Sequence, residues 1–202
     1  MLLVIDTSTA ACTVALFDEG GVCLASTSHI IGRGHAERLV PMVEDLMGGR
    51  PASRVLVGVG PGSFTGIRVA LAAAQGLGIG WDAEVSGMSS LALLAAGTEA
   101  DGIVVAAMEG GHGELFVQSF DGRSIEPRSQ LLNLSPAAAA HVCAGAVVVG
   151  PGAQRLVDAR GWGSPITDWP SAKNVIRLPR KLRNLPVKPI YGRAPDAGAR
   201  AA

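Results

Sequence analysis

The residues best placed to do chemistry lie in the stretch GPGSFTGIR: Gly60, Pro61, Gly62, Ser63, Phe64, Thr65, Gly66, Ile67 and Arg68. A glycine-rich turn feeding a helix N-terminus turns bare backbone N–H groups toward an anion. The phosphate-loop pattern G-x-x-x-x-G-K-[ST] is absent, and G-x-G-x-x-G fails because Phe64 and Thr65 intervene before Gly66. The stretch therefore reads as a structural turn seating the helix that follows, with Ser63 and Thr65 supplying hydroxyls to its first amides. Arg68 is left with two roles, anion ligand or partner of a carboxylate. A second candidate is the turn Asp6-Thr7-Ser8-Thr9. A phosphate-holding hairpin needs a basic or amide side chain there, and Ala10-Ala11-Cys12 supplies neither, so Asp6 is expected to bond locally.

Other chemistries each lack a partner. His29, His35, His112 and His141 are scattered, with no H-E-x-x-H and no ligand spacing. His35, at a helix start, reads as a capping or interface group. No G-x-S-x-G elbow occurs, and Ser63 has no His/Asp pair to activate it. Glu109 and Glu114, at opposite ends of a tight hairpin, read as solvated rather than as an acid–base pair.

The elements that position these residues follow from periodicity. Val55–Val59 is a short apolar run ending in Gly60-Pro61-Gly62, a buried strand entering a turn. Gly66 to Ile79 is a helix with Gly66, Ala70, Ala74 and Gly78 in one row, apolar nearly all round and so buried on more than one side. Ahead of it, Leu2–Asp6, Cys12–Phe17 and Val22–Ser28 read as strands and residues 36–47 as an amphipathic helix, with a late start or kink at Pro41. Asp82–Gly87 is a further strand and Met88–Ala96 a helix. The pattern then restarts: Ile103–Ala107 and Glu114–Phe120 form a hairpin, and Val147–Val149 enters Gly150-Pro151-Gly152. This recurrence indicates internal duplication and two α/β lobes flanking a cleft. Helices are expected after Ser135, over Ala153–Arg160 and, broken by Pro179, over Ser171–Asn184. The boundaries are 1–100 for the first lobe, 101–190 for a smaller one, and 191–202 for an extended, partly disordered tail.

Composition agrees with a globular chain, at 48% hydrophobic and 17% charged residues. Charge is segregated: residues 1–120 hold 5 Arg against 12 acids, residues 121–202 hold 12 Lys and Arg against 5 acids. The basic run Lys173–Arg200 is either a nucleic-acid contact or a solvated tail. Cys12, Cys23 and Cys143 form no CxxC pair and read as reduced, buried thiols of a cytoplasmic protein. No basic leader or membrane span is evident.

MLLVIDTSTAACTVAL, HAERLVPMVEDL, VGVGPGSFTGIRVALAAAQGL and PIYGRAPDA, in that order, resemble the TsaB family of tRNA threonylcarbamoyladenosine biosynthesis proteins. The resemblance implies an α/β, actin-like fold of the Hsp70/sugar-kinase type, two-lobed, with duplicated ribonuclease-H-like units. It also implies a non-catalytic paralogue of the catalytic subunit TsaD, which modifies the adenosine beside the anticodon of ANN-decoding tRNAs. TsaD and the ATPase TsaE are the implied partners. Contact with tRNA is indirect, and a homodimer is possible when the chain is alone. No cofactor belongs to the chain itself; ATP and metal belong to the partner subunits. His35, Leu39, Met42, Val43 and Leu46 on the first long helix, with Ile67, Ala70, Leu71 and Ala74 on the second, are the expected partner interface. The alternatives are a small ATP-binding kinase or ATPase of the same fold and, behind it, an M22-type peptidase. Three departures from the family stand out: Met108-Glu109-Gly110 in place of an Asp-Ala-Arg element, Pro179, and Gly192.

Overall fold

The computed structural model describes residues 1–192. Two five-stranded sheets of like topology make up its frame. In the first, β1 (Leu2–Asp6), β2 (Ala11–Phe17), β3 (Cys23–Ile30), β4 (Arg54–Gly58) and β5 (Glu84–Met88) lie in the order β3-β2-β1-β4-β5. In the second, β6 (Ile103–Glu109), β7 (Leu115–Asp121), β8 (Leu132–Leu134), β9 (Val147–Val149) and β10 (Ser164–Ile166) lie in the order β8-β7-β6-β9-β10. In each, the first three strands are antiparallel neighbours and the last two join in parallel. The duplication expected from the hairpin spacing is thus repeated strand for strand. Strands β8 and β10 have only three residues each, too short to leave an alternation, and the sequence reading missed both.

β1 and β2 are apolar on both faces because both faces are covered. On one face lie α1 (His35–Met47) and α2 (Phe64–Trp81), enclosing Leu3, Ile5, Val14 and Leu16. The other face meets the second lobe. There α3 (Ser90–Ala95), buried at every position, joins Phe17 and Leu56 of the first sheet to Val104, Met108 and Phe120 of the second in one core. The lobes therefore share their apolar interior. α4 (Pro136–Val142) and α5 (Ala153–Arg160) cover the far side of the second sheet.

α1 runs unbroken through Pro41, which starts neither late nor a new helix: the ring lies on the exposed face. Its left-handed C-cap Gly48 (φ 55°) donates to the Glu44 carbonyl. α2 starts at Ser63, whose hydroxyl accepts from the Gly66 N–H at 3.2 Å.

The second lobe does not extend to residue 190. Past Asp168 the chain returns to the first sheet, where the Ala172 N–H donates to Thr13 Oγ1 at 3.0 Å, Leu185 bridges Gly87, and the Ile190 N–H donates to the Val59 carbonyl at 2.7 Å. The helix expected over Ser171–Asn184 is replaced by two 3-10 segments, Ala172–Arg177 and Arg180–Leu182. Pro179 lacks the N–H a continuous helix needs, and Arg177 is fixed by bonds to the carbonyls of Ala96, Thr98 and Gly122. The tail reading falls almost wholly on residues 193–202, outside the described residues.

Candidate functional site

The strand β4 delivers Gly60-Pro61-Gly62 against the β1–β2 turn. A Cβ on Gly62 (φ 150°) would strike the Ser8 carbonyl, and one on Gly66 the Thr7 carbonyl. The same two elements are tied by Ser63 N–H to the Ser8 carbonyl at 2.7 Å and Thr7 Oγ1 to the Gly66 carbonyl at 2.7 Å. In a phosphate-binding loop the first amides of the helix would be open to ligand. Here two of the amides at that turn are already taken: Ser63 gives its N–H to the Ser8 carbonyl and Gly66 gives its own to the Ser63 hydroxyl. The motif is a weld between two turns.

Asp6 is fully buried and is not among the residues lining the interlobe cleft. Its Oδ1 accepts from the Ser8 N–H (2.8 Å) and Ser8 Oγ (2.7 Å), and its Oδ2 from Ser90 Oγ (2.6 Å). The local bond follows the sequence reading; Ser90, 84 residues away, left no signal there. Burial holds the Asp6 carboxyl above the ordinary carboxylate range, and its three hydrogen bonds and the nearby His35 oppose that rise only in part. Burial likewise pushes the Cys12 thiol up to about 11, helped by the charge of Asp6. His35 opens α1 with a buried Nε2 that has no hydrogen-bond partner among the described residues.

Between the lobes lies a cleft of about 1040 Å³, lined by Ser8 and Thr9 from the first lobe, by Met108 and Phe116 from the second, and by Trp169 and Tyr191. Its charged lining is sparse. Arg68 lies over the Phe64 ring at 3.6 Å and donates from Nε to the Tyr191 hydroxyl at 3.1 Å. Neither role left open for it describes these contacts. Glu109 pairs with Arg155 and Glu114 accepts from Asn133, so the two carboxylates face different partners. Among the described residues no group of three His, Cys, Asp or Glu side chains is placed to hold a metal ion. No described helix is long and apolar enough to cross a membrane.

The nine residues expected at a partner interface require correction. His35, Leu39, Met42, Val43, Ile67, Ala70, Leu71 and Ala74 are all buried within the first lobe, and Leu46 is half-buried against the same core. The helical period does mark a stripe on each helix, but the bare face of the sheet claims it. What α1 and α2 leave outward is different: Val40 and Pro41 among Ala36, Glu37, Arg38, Glu44 and Asp45 on α1, and Phe64, Thr65, Arg68, Ala72, Gln75, Gly76, Ile79 and Gly80 on α2. Ile79 is 86% exposed. The row Ala72, Gly76, Gly80 is as small as the buried one, yet a Cβ on Gly76 or Gly80 would meet nothing within 4 Å.

Two sheets of ribonuclease-H type, repeated in order and joined through one core, define a two-lobed α/β protein of the actin-like class. Residues 20–152 match the family profile described as TsaD, tRNA N6-adenosine threonylcarbamoyltransferase. The chain belongs to the TsaB/YeaZ family. It is 30% identical to a Pseudomonas aeruginosa protein solved as one "with similarity to peptidase YEAZ", covering 95% of this chain and 99% of that one at a TM-score of 0.79. It is similar too to the tRNA threonylcarbamoyladenosine biosynthesis protein TsaB of Escherichia coli, at 37% identity over 57% of this chain and 52% of that protein. TsaB of Bacillus subtilis is 32% identical over 57% of this chain and 52% of its own length. The matched part thus spans about half the length of these curated relatives.

Proposed function

We propose that this chain is a non-catalytic subunit in the formation of threonylcarbamoyladenosine in tRNA, docking a TsaD-type catalytic partner on the outward faces of α1 and α2. The family supports the process. The observation that carries the docking surface is the pair Gly76 and Gly80. Each destabilises a helix by about 1 kcal/mol relative to Ala, and no described residue of the lone chain fills the space they leave. A second backbone laid along Ala72, Gly76 and Gly80 uses that space, with Ile79 and Val40 as flanking apolar contacts. In this reading TsaE joins the pair, tRNA is met only through the assembly, and ATP and metal are held by the partners. The welded GPGSFTG turn and the buried, locally bonded Asp6 support a chain that does no phosphoryl chemistry of its own.

Co-purification of tagged chain with untagged TsaD tests the reading. Gly76→Arg is expected to abolish co-elution while leaving the circular dichroism spectrum of the lone chain unchanged. Undiminished co-elution would sink the docking face. Nucleotide turnover by the lone chain at a rate abolished by a cleft substitution would favour the kinase or ATPase alternative instead.

A further inference from the structure

The family role leaves one well-built feature unexplained, the path of the chain over the cleft. Residues 185–192 form a strap. It starts firmly, with Leu185 exchanging two backbone hydrogen bonds with Gly87 (2.8 and 2.9 Å), and it is pinned again where Ile190 donates to Val59. Beyond Ile190 no backbone bond holds it among the described residues. Its end is held by side chains instead. The Tyr191 ring lies 5.3 Å from the Phe64 ring at an interplanar angle of 33°, its hydroxyl accepts from Arg68 Nε, and the Arg68 guanidinium covers Phe64. One residue further, Gly192 passes so close to Phe116 of the second lobe that a Cβ would sit 2.8 Å from the ring. The strap is thus sewn to the first lobe and reaches across to the second, and Tyr191 and Gly192 form part of the cleft wall.

We propose that this strap is a latch on the interlobe cleft, closed by the three-way contact of Phe64, Arg68 and Tyr191, and that releasing the contact widens access to the cleft. The geometry suits a latch better than a fixed wall. All three closing side chains are partly solvent-exposed, with Phe64 at 55% and Tyr191 at 39%. Exposed cation–π and aromatic contacts are individually weak. Segments held by few buried contacts open locally far more often than the whole fold does. The proposal also gives Phe64 and Arg68 a task. Both belong to GPGSFTGIR, and neither side chain takes part in the weld beneath them, which rests on Gly62, Ser63 and Gly66.

The test uses the full chain with Trp81 and Trp162 changed to Phe, so that Trp169, which lines the same cleft as Tyr191, reports alone. Acrylamide quenching of Trp169 and hydrogen exchange of the strap amides are measured for this parent, for Tyr191→Ala and for Arg68→Ala. Tyr191→Ala is expected to speed exchange over residues 187–192 about tenfold, as loss of one weak closing contact set implies. It should also raise the quenching constant at least twofold, leaving exchange in α1 and β4 unchanged. Arg68→Ala should move both readouts the same way and less far, and it serves if Tyr191→Ala fails to fold. Faster strap exchange without increased quenching would make the strap a mere terminal anchor and overturn the latch. Unchanged strap exchange in both variants would overturn it equally.

Discussion

The two small-residue rows of α2 look alike in sequence and live in different worlds. Gly66, Ala70, Ala74 and Gly78 are buried. Gly66 is pressed against the β1–β2 turn, and Gly78 against the Val85 side chain. Ala72, Gly76 and Gly80 face outward with open space above them. The first row is small because the fold beside it leaves no room. The second has no such reason among the described residues, and that asymmetry is what points to a surface meant for something else. A row of small residues announces a close approach; only the neighbours say whose.

The comparison breaks most readily at Ala74. Its side chain is fully buried beneath α2, among Val57, Ile67 and Ala70, so Ala74→Arg forces an unpaired charge into an apolar core. A loss of about 4 kcal/mol or more is expected, unfolding the chain rather than selectively freeing a partner. Thermal melts would show it, and a variant that melts with the wild type would remove the inward assignment of this row. Gly66→Ala is next. The added methyl meets a backbone carbonyl, which cannot rotate away, and overpacking of this kind costs about 2 kcal/mol. A urea midpoint equal to wild type would show that the weld between turns yields more easily than drawn here.

Asp6 tests the same buried side through pH. Its carboxyl lies above the ordinary range in the folded chain because burial disfavours the charge. A raised folded pKa means the native state binds a proton more tightly than the unfolded one. Its contribution is therefore fully present below the unfolded carboxylate pKa of about 3.9 and is lost as pH rises through the folded value. Asp6→Asn should remove that decline, so the gap in urea midpoint between variant and wild type should grow in the variant's favour with rising pH. Comparing the two proteins at each pH isolates the contribution of Asp6. A gap that stays constant with pH would contradict the assignment.

Much of this architecture could be read in advance, and the misreadings share a cause. Hairpin spacing and the recurring Gly-Pro-Gly disclosed the duplication, because turns impose their chemistry locally. The structural role of GPGSFTG was legible for the same reason: glycines at Gly62 and Gly66 exclude side chains, whatever sits nearby. Apart from the three-residue strands β8 and β10 and the break at Pro179, the failures were tertiary. Period alone showed which residues of α1 and α2 form a stripe, but Leu39 and Ile67 face a sheet whose position no local pattern encodes. Ser90 at Asp6, Tyr191 at Arg68 and Thr13 at Ala172 are partners 84, 123 and 159 residues away, and polar pairs that distant leave no spacing to detect.

The smallest effect sharpens the comparison furthest. Gly76 has helical backbone, no neighbour within 4 Å of an added Cβ, and an exposed position. Alanine there gains helix propensity and meets nothing, so Gly76→Ala should stabilise the lone chain by about 1 kcal/mol. At the outward face the sign reverses, since a methyl in the row keeps a second backbone from approaching as closely. Affinity for a TsaD-type partner should therefore fall while the urea midpoint rises. Gly78→Ala, one turn position away on the buried side, should do neither: the added methyl collides with Val85, so stability falls, and the outer surface is untouched. A Gly76→Ala chain that is no more stable than wild type would mean the space above α2 is filled from within the molecule. One that is more stable and binds as tightly as before would move the docking surface elsewhere.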